Sequence, residues 1–543
     1  MQGTRIRRAI AVIAALTLAV AGAACGEDEP TGDGGDDAVT VEALDNVFGE
    51  EPPHVVRVAV GGTVTWVNRG RNDHNIIPLD GAPFGVGESS FASGDEYQAT
   101  FDEEGAFAYY CSLHGNATDG MTGTVLVGDV EEPPAPEPTP DILDIRASGN
   151  VLNVPDDHET IQAAVDAAEV GDLILIAPGV YKEAVEVPRG KDGITLRGLD
   201  RDEVVLDGEF TRPNGVQVIR ANGVVIENMT AQNFTENGFF WTGVTGYRGS
   251  YLTAIRNGDY GIYAFESTKG LLEHSYASGS PDAGFYIGGC QPCDATINDV
   301  ISEWNGLGYS GTNAGGNLVI ANSIFRYNRA GIVPNSGSYE PYYPQDDNDI
   351  VGNLVHDNSN GDTAAIDIAI TAMGNGILSA GGINNKIVRN RVMNHDLGGI
   401  VVISYPENAE YFWEATGNEV RENVVSGSGL GDLALWFGGA DDETGENCFA
   451  DNEYGTTAPL NLEDEAPCPA VPNGNMADGA FDVVALAIND GKPESVPYEQ
   501  VELPDIDPAE VPDMPDPEDA PARPAVDVPL RLDLDSIEVP PAP

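Results

Sequence analysis

The residues best suited to chemistry in this chain of 543 residues lie in one short stretch, YYCSLHGNATDGM, at positions 109 to 121. It places a thiol, an imidazole and a thioether at Cys111, His114 and Met121. A second imidazole, His74 in the segment NDHNIIP, stands upstream at the end of a strand-like run. Two imidazoles, one thiolate and one weak thioether form the trigonal set that suits copper in one-electron transfer. A zinc site would replace the methionine with a carboxylate or another histidine, so the pattern predicts a type 1 copper site.

Segments with strand patterns surround these four residues. VRVAVGGTVTWVN, YQATFDEEGAFAYYC and MTGTVLVG alternate apolar and polar residues, as half-buried strands do, and no long helical period interrupts them. Residues 39–129 are therefore predicted to form a small β-sandwich. His54, in PPHVV, fits no ligand pattern and is predicted to lie at the surface.

The copper stretch resembles the cupredoxins, in particular the plastocyanin and amicyanin type. The resemblance rests on a strand that ends in Tyr-Tyr-Cys, a Cys-x-x-His pair, a nearby methionine and a first histidine followed by asparagine. It implies that Cys111 carries the electronic coupling and that His114, at the protein surface in such folds, is the exit for the electron. Two departures stand out: six residues separate His114 from Met121, more than is usual in the family, and Leu113 replaces a common proline.

From residue 142 onward a different pattern begins. IQAAVDAAEVGDLILIAPGVYKEAVEV opens with an amphipathic helix, predicted at 160–168, that would cover the open end of the following strands. Short strand-like runs with polar turn residues then recur with a period near 23, which is typical of a β-solenoid. One column of the repeat holds Asn228, Tyr251, His274, Asp299, Asn322, Asn353, Asn390, Asn423 and Asn447. This column is interpreted as a turn position, because asparagine tolerates left-handed backbone angles and stacked amides hydrogen-bond along the axis.

The opening of this region resembles pectin-lyase-like right-handed β-helix proteins, over roughly residues 150–455. That resemblance implies a fold and not an activity. The fold prediction is all-β: an N-terminal cupredoxin β-sandwich, then a right-handed parallel β-helix at 142–474 with an N-terminal capping helix. β-Helix proteins of the NosD type, associated with copper-site assembly of a periplasmic reductase, are similar at the level of the fold.

Three long repeat intervals predict loops at 339–349, 358–374 and 404–417 that wall a cleft on one face. Their tyrosines and carboxylates suit sugar rings, and His395, Asp396 and Asp367 are the candidates for acid–base catalysis. A uronate carboxylate would need a counterion, for which Ca²⁺ is one candidate. Four arginines are the alternative: Arg326, Arg329, Arg389 and Arg391.

Three functions follow from these features. The preferred one is a copper electron-transfer protein, with an unidentified redox partner, whose β-helix binds a glycan or a partner. The first alternative is a carbohydrate-active enzyme, a polysaccharide lyase, epimerase or hydrolase, with an accessory copper domain. The second is a NosD-like factor that delivers copper.

The N-terminus predicts export. Residues 1–25 combine three arginines, an apolar run and small residues before Cys25, as in a bacterial lipoprotein signal, and residues 26–38 form a flexible tether. Cleavage by an ordinary signal peptidase near Ala23 or Ala24 is the alternative to lipidation of Cys25. The protein is therefore expected outside the cytoplasm, as a lipoprotein at the cell surface or in the periplasm, or otherwise secreted.

The other cysteines fit an oxidising compartment. The predicted disulfides are Cys290–Cys293 and Cys448–Cys468. A redox pair or half of a metal site is the alternative for the first pair.

The charge balance excludes some partners. Acidic residues outnumber basic ones 88 to 26, for a net charge of −62. Such a surface repels nucleic acid and anionic lipid head groups, so membrane contact is expected only through the N-terminal lipid. The acidic, proline-rich linker at 130–141 is predicted to be semi-rigid and extended. The acidic, proline-rich tail at 475–543 is predicted to be disordered or to lie extended along a domain.

Overall fold

In a computed structural model, the described residues are 36–49, 53–132, 134, 142, 145–408, 410–438, 444–469, 476–481, 491–507, 509–522 and 531–543. The predicted export signal with Cys25, most of the tether and most of the linker lie outside this set. None of the helices in the described ranges has the length and apolar character needed to cross a membrane.

The N-terminal domain consists of eight strands around one aromatic core. The strands are β1 Asp36–Leu44, β2 Val47–Phe48, β3 His54–Asn68, β4 His74–Pro78, β5 Val86–Phe91, β6 Glu96–Phe101, β7 Gly105–Gly115 and β8 Gly120–Val127. They pair in the order β2-β1-β3-β8-β7-β4-β5, and β6 pairs with β3. Trp66 fills the centre, with the rings of Phe84 and Tyr109 at centroid distances of 5.8 and 5.4 Å. The predicted β-sandwich is confirmed.

The remainder of the described chain is a parallel β-helix with three sheets, here called sheets I, II and III. Two long strands, Val224–Gln232 and Thr245–Ile255, run through both sheet I and sheet II. The other strands of sheet I are Val151–Val154, Leu173–Ile176, Thr195–Gly198, Thr268–Glu273, Ala295–Asn298, Leu318–Ala321, Asn348–Val351, Lys386–Val388, Glu419–Arg421 and Cys448–Ala450. The other strands of sheet II are Gly179–Tyr181, Val204–Asp207, Tyr276–Ser278, Ile301–Glu303, Ile324–Arg326, Leu354–His356, Arg391–Met393 and Val424–Ser426. Those of sheet III are Val185–Val187, Val216–Ile219, Phe239–Thr242, Ile262–Phe265, Ala283–Gly288, Leu307–Thr312, Ala330–Asn335, Ile377–Ala380, Gly398–Ile403, Gly431–Trp436 and Thr457–Ala458.

Each coil buries its inward side chains against the coils above and below, so the core is a continuous column. Along sheet III, for example, Phe239, Ile262 and Phe285 stack at equivalent positions, all fully buried. The open end is covered by helix α1, Ile161–Ala167, as predicted. The Thr160 hydroxyl accepts a hydrogen bond from the amide of Ala163 and so caps the helix.

The predicted turn column is only partly correct. The first five members, from Asn228 to Asn322, adopt left-handed backbone angles as expected. In the next three coils the left-handed residues are Gly352, Arg389 and Glu422, and the asparagines predicted there occupy the following position. The long insertions hid this shift of one residue, because they remove the constant spacing on which the alignment depended.

The displaced asparagines form a buried ladder of side-chain amides. The amide of Asn353 donates to Asn390, which donates to Asn423, at 3.0 Å in each step. Asn447 belongs to a separate ladder, in which it accepts from Asn418 at 2.7 Å. Amide stacking along the axis is thus observed at positions other than the left-handed turn.

Two of the three predicted loops carry small elements of their own. The loop at 358–374 contains helix α2, Asp367–Ala372, and the loop at 404–417 contains the hairpin Tyr405–Pro406 and Phe412–Trp413. A third helix, α3 Leu462–Glu465, and three 3-10 turns, Leu79–Gly81, Tyr498–Gln500 and Leu534–Ser536, complete the elements described. Apolar residues of these loops pack on the outer side of sheet III.

The acidic tail lies extended along the β-helix wherever it is described. Three of its backbone carbonyls, those of Pro517, Ala520 and Pro521, accept hydrogen bonds from the buried guanidinium of Arg197. Further contacts join Arg201 to Pro512, Arg256 to Val501, Arg326 to Glu510, Arg329 to Pro493 and Glu494, Arg389 to Leu534, and Arg391 to Pro540. The four arginines predicted as counterions for a uronate are thus engaged with the tail.

The structure contains disulfides between Cys290 and Cys293 and between Cys448 and Cys468. Among the described residues the only free cysteine is Cys111, which is buried.

Candidate metal centre

Three adjacent strands supply the predicted copper ligands. His74 opens β4, Cys111 and His114 lie near the end of β7, and Met121 lies at the start of β8. Asn75 fixes the first two strands to each other. Its side chain donates to the Ser112 hydroxyl at 2.9 Å and accepts from the Ser112 amide at 2.8 Å. The residues next to His74 and Cys111 are therefore locked together, which sets the spacing of the two ligands.

The structure brings three donor atoms to one point. The Nδ1 atoms of His74 and His114 are 3.1 Å apart, and the Cys111 sulfur is 3.8 and 3.6 Å from them. Donors that share one ion at about 2.0 to 2.3 Å must lie about 3 to 4 Å from one another, which is what these distances show. Two imidazoles and one thiolate in a trigonal arrangement match the donor set of blue copper. The residues present therefore fit a copper ion.

The three donor groups are shielded from solvent. His74 and Cys111 are fully buried and His114 is 2% exposed. Burial lowers the pKa of His114 to about 3, and burial followed by the proximity of His114 lowers that of His74 well below its usual value. Both imidazoles are therefore neutral and present lone pairs, as metal ligands must.

The thiol is protonated in the absence of a cation. Burial raises the pKa of Cys111 to about 11, and the Glu236 carboxylate of the β-helix adds a smaller contribution in the same direction. A metal ion would displace that proton, because the thiolate and not the thiol is the ligand.

Met121 is placed beside this cluster by the strand pairing. In the antiparallel β7–β8 ladder Tyr110 pairs with Thr122, and Cys111 and Met121 are the next residues of the two strands, where the regular register is interrupted. Met121 is fully buried in the same apolar core as Cys111. His54, by contrast, lies at the start of β3, half-buried, outside the cluster.

The histidine edge of the domain is covered by the β-helix. The carbonyl oxygen of Leu113 lies 3.5 Å from the Asn214 amide nitrogen and 3.4 Å from that of Gln217, both at the outer side of sheet III. The expectation that His114 lies at the protein surface is therefore wrong for this chain. The sequence motif describes the copper domain alone and contains no information about what covers it.

A second contact between the domains is a buried group of charges and tyrosines. Arg71 of the copper domain stacks over the ring of Tyr339 at 4.2 Å and lies 3.4 Å from Asp45 and 3.8 Å from Glu340. The Asn46 amide donates to the hydroxyl of Tyr263. Sequence reasoning missed Asp45, Asn46, Arg71 and Tyr263, which belong to no ligand motif. Tyr339 and Glu340 belong to the predicted loop at 339–349, but they are buried in this contact.

An eight-stranded sandwich with a buried Cys-His-His edge defines a cupredoxin. Residues 38–128 match the profile of copper binding proteins of the plastocyanin/azurin family, and through this domain the chain belongs to that family. It is 37% identical over 83 residues to a plastocyanin of Scenedesmus fuscus, which is 14% of this chain and 83% of that protein. It is also 33% identical over 96 residues to a halocyanin of Natronomonas pharaonis, 17% of this chain and 58% of that protein.

Residues 237–425 match the profile described as a right handed β-helix region. Among solved structures, the A-module of the Azotobacter vinelandii mannuronan C-5 epimerase AlgE4 is 15% identical to this chain. The match covers 57% of this chain and 94% of that one, with a TM-score of 0.40. A similarity this distant has no bearing on the activity of the β-helix.

The three weaker candidates of the β-helix are not joined to one another by hydrogen bonds in the described part of the chain. His395 is buried in an amide ladder, where its Nε2 atom lies 3.3 Å from the Asn358 amide. Burial lowers its pKa to about 3. Asp396 and Asp367 are exposed, the latter at the first residue of α2. Their assignment to catalysis stays a prediction.

Proposed function

We propose that the protein is an exported, type 1 copper protein that transfers single electrons. The observation that carries the proposal is the convergence of His74, Cys111 and His114, whose ligand atoms all lie within 4.8 Å of one another in a buried pocket. Met121 is the weak fourth ligand in this proposal. It is fully buried in the same apolar core as Cys111.

The chain contributes rigidity and exclusion of water. Bound copper would supply a metal that alternates between two charges. His74 and Cys111 are held by the Asn75–Ser112 pair, and His114 lies within the same strand as Cys111, so the donor atoms have little freedom to move when the charge changes. Since the ligands are buried, few water molecules need to reorganise. Both features favour fast electron transfer.

Copper titration of the purified protein tests the proposal. Cu²⁺ should produce an intense blue charge-transfer band, because the thiolate of Cys111 donates charge to the metal. Cys111→Ser should abolish the band and His54→Ala should leave it unchanged, since His54 lies outside the cluster. A colourless protein with stoichiometric copper, or a band that survives in Cys111→Ser, would contradict the assignment.

Glycan binding by the β-helix is a second proposal, favoured by one observation. Tyr343, Tyr411 and Trp413 form a cluster of aromatic rings at the insertion loops, with Tyr411 and Trp413 stacked at 5.3 Å. The neighbouring Tyr342 and Phe412 are 47% and 46% exposed. Exposed aromatic faces of this kind suit sugar rings.

Incubation with a panel of neutral and uronic polysaccharides, with and without Ca²⁺, tests glycan binding and the alternative of a carbohydrate-active enzyme together. Retention on a polysaccharide that is lost in Tyr343→Ala supports binding alone. Release of product in addition would support the enzyme. If the protein is not retained and no product is released, the β-helix is better explained as a partner-binding domain, the role expected of a NosD-like copper-delivery factor.

The extracytoplasmic location is part of the same proposal. It is supported by the export-type N-terminus and by the two disulfides, which form in oxidising compartments. The mass of the mature N-terminus would distinguish lipidation at Cys25 from simple cleavage.

A further inference from the structure

The six residues between His114 and Met121, here called the ligand loop, also contact the β-helix. This loop, residues 115–120, forms the tight end of the β7–β8 hairpin, in which Gly115 pairs with Gly120. The side chain of Asn116 accepts hydrogen bonds from the amides of Thr118 and Asp119 at 3.0 and 2.9 Å, which shapes the turn. The extra residues thus form a small, ordered projection beside the copper ligands.

This projection is bound by the β-helix through a buried ion pair. Arg189 donates from Nε to the carboxylate of Asp119 at 2.8 Å, and its Nη2 atom is 2.5 Å from the same oxygen. The guanidinium of Arg220 is 4.0 Å away, and the Asp119 side chain is only 4% exposed. A buried carboxylate requires such partners, because its desolvation is costly when it is unpaired.

Two more contacts reach the same loop. The Asn116 amide donates to the Glu186 carboxylate at 2.8 Å. Next to His114, the Leu113 carbonyl faces Asn214, whose side-chain oxygen accepts from Asn237 at 2.9 Å within the β-helix. The ligand loop is therefore contacted at its start, its middle and its end by successive coils of sheet III.

We propose that the lengthened ligand loop is a docking element, and that the β-helix of the same chain is the partner that occupies the histidine face of the copper domain. Asp119 and Arg189 are positioning residues in this arrangement. They hold the loop between His114 and Met121 in its ligand conformation and close the edge at which His114 would otherwise meet solvent. The inference deepens the proposed function, because it names the β-helix as the neighbour across which the copper site must exchange electrons.

Shielding of the Cys111 thiol in the copper-free protein tests the docking without any electron transfer. The rate at which iodoacetamide labels the peptide containing Cys111 is measured by mass spectrometry in the full chain. Arg189→Ala should increase that rate by about tenfold or more, because it leaves Asp119 buried without its main partner and weakens the docked state. Arg189→Lys, which keeps the charge, should recover much of the protection.

Arg212→Ala is the matched control, since the Arg212 guanidinium pairs with Glu209 within the β-helix. It should leave the labelling rate unchanged. Asp119→Asn provides the reciprocal test from the copper domain and is close in shape to the native side chain, so it is expected to fold. An unchanged labelling rate in both Arg189→Ala and Asp119→Asn would overturn the proposal.

A second measurement separates this proposal from the copper assignment. In copper-loaded protein, Arg189→Ala should change the position or intensity of the blue band, whereas Arg212→Ala should not. If no blue band forms in the native protein, the copper assignment fails while the labelling result still decides the docking. If the band forms and the labelling rate does not respond to changes at Arg189 and Asp119, only the docking proposal is contradicted and the copper assignment stands.

Discussion

The copper domain and the β-helix use buried polar side chains in opposite ways. In the copper domain, the ring nitrogens of His74 and His114 and the Cys111 sulfur face one another and converge on one point. In the β-helix, buried polar groups such as Asn353, Asn390 and His395 are hydrogen-bonded along the axis of the solenoid. A cluster of ligand atoms that converge on one point indicates a metal site, and a periodic row of amides indicates a role in the stability of the fold.

This difference explains why a buried histidine is evidence for a ligand site in one region and not in the other. His74 and His114 turn their Nδ1 atoms toward each other and toward the Cys111 sulfur. A histidine in a ladder replaces an asparagine and keeps its hydrogen bond. The two regions should therefore respond differently to copper, to the loss of an amide and to pH.

Copper should stabilise the copper domain strongly and specifically. At a free metal concentration 1,000 times the dissociation constant, binding adds about 4 kcal/mol to the free energy of unfolding of the copper domain. Thermal unfolding with and without copper measures this gain. Cys111→Ser should show none of it, and an equal gain in that variant would mean that the ion binds elsewhere.

Loss of an amide from the asparagine ladder should destabilise the β-helix and leave the copper domain unchanged. Asn390→Ala removes bonds to Asn353, Asn423 and the carbonyl of Ile350, so we expect a loss of about 2 to 4 kcal/mol in the free energy of unfolding. Denaturant unfolding measures it, and the blue band should be unaltered. Asn408→Ala, in an exposed loop, is the control and should cost far less.

The charge cluster between the domains should make stability depend on pH. Burial raises the pKa of Asp45, Asp282 and Glu340, so the folded protein binds more protons than the unfolded chain above the ordinary carboxyl pKa. The contribution of these three groups to stability should therefore be greatest in acid and fall as pH rises from about 4, by about 1.4 kcal/mol for each unit by which a pKa is raised.

Glu340→Gln should weaken this dependence, because the amide cannot ionise, although Arg71 then loses one acidic partner. Glu410→Gln, at an exposed position, serves as the control. Denaturant unfolding at a series of pH values distinguishes the two. A stability that rises between pH 4 and pH 7 in the native protein would contradict the expected sign.

The protonation state of His395 should change least of all between pH 5 and pH 8. With a pKa lowered to about 3 by burial, it should remain neutral between pH 5 and pH 8. His274 is the internal comparison, because its hydrogen bond to Asp299 raises its pKa. Histidine signals in an NMR titration report both. Titration of His395 near neutral pH would restore it as a candidate acid or base.

Much of the copper site could be predicted from the sequence, because its ligands carry a spacing and a chemistry that few other structures share. The docking of that site could not be predicted. Asp119 and Arg189 are ordinary charged residues in sequence, and 69 residues lie between them. Only the unusual length of the loop before Met121 gave a signal, and its meaning depends on the surface that the β-helix presents.

The β-helix could be predicted for a different reason, because its repeat of about 23 residues recurs many times along the chain. The precise turn position was not, because the long insertions after Asn322 break the spacing. Arg389 and Glu422 then take left-handed angles that asparagine would be expected to take. Backbone conformation at these corners is imposed by stacking on the neighbouring coil and not by the residue itself.

The arginine-bound tail has a consequence for how the solenoid comes apart. One segment touches coils as distant as those of Arg197 and Arg329, and its last residues return to Arg391. A stack of coils with free ends can fray one coil at a time, whereas a strap across many coils resists opening at any single one. Because these tail segments follow all the coils in the sequence, they can bind only after those coils have been synthesised.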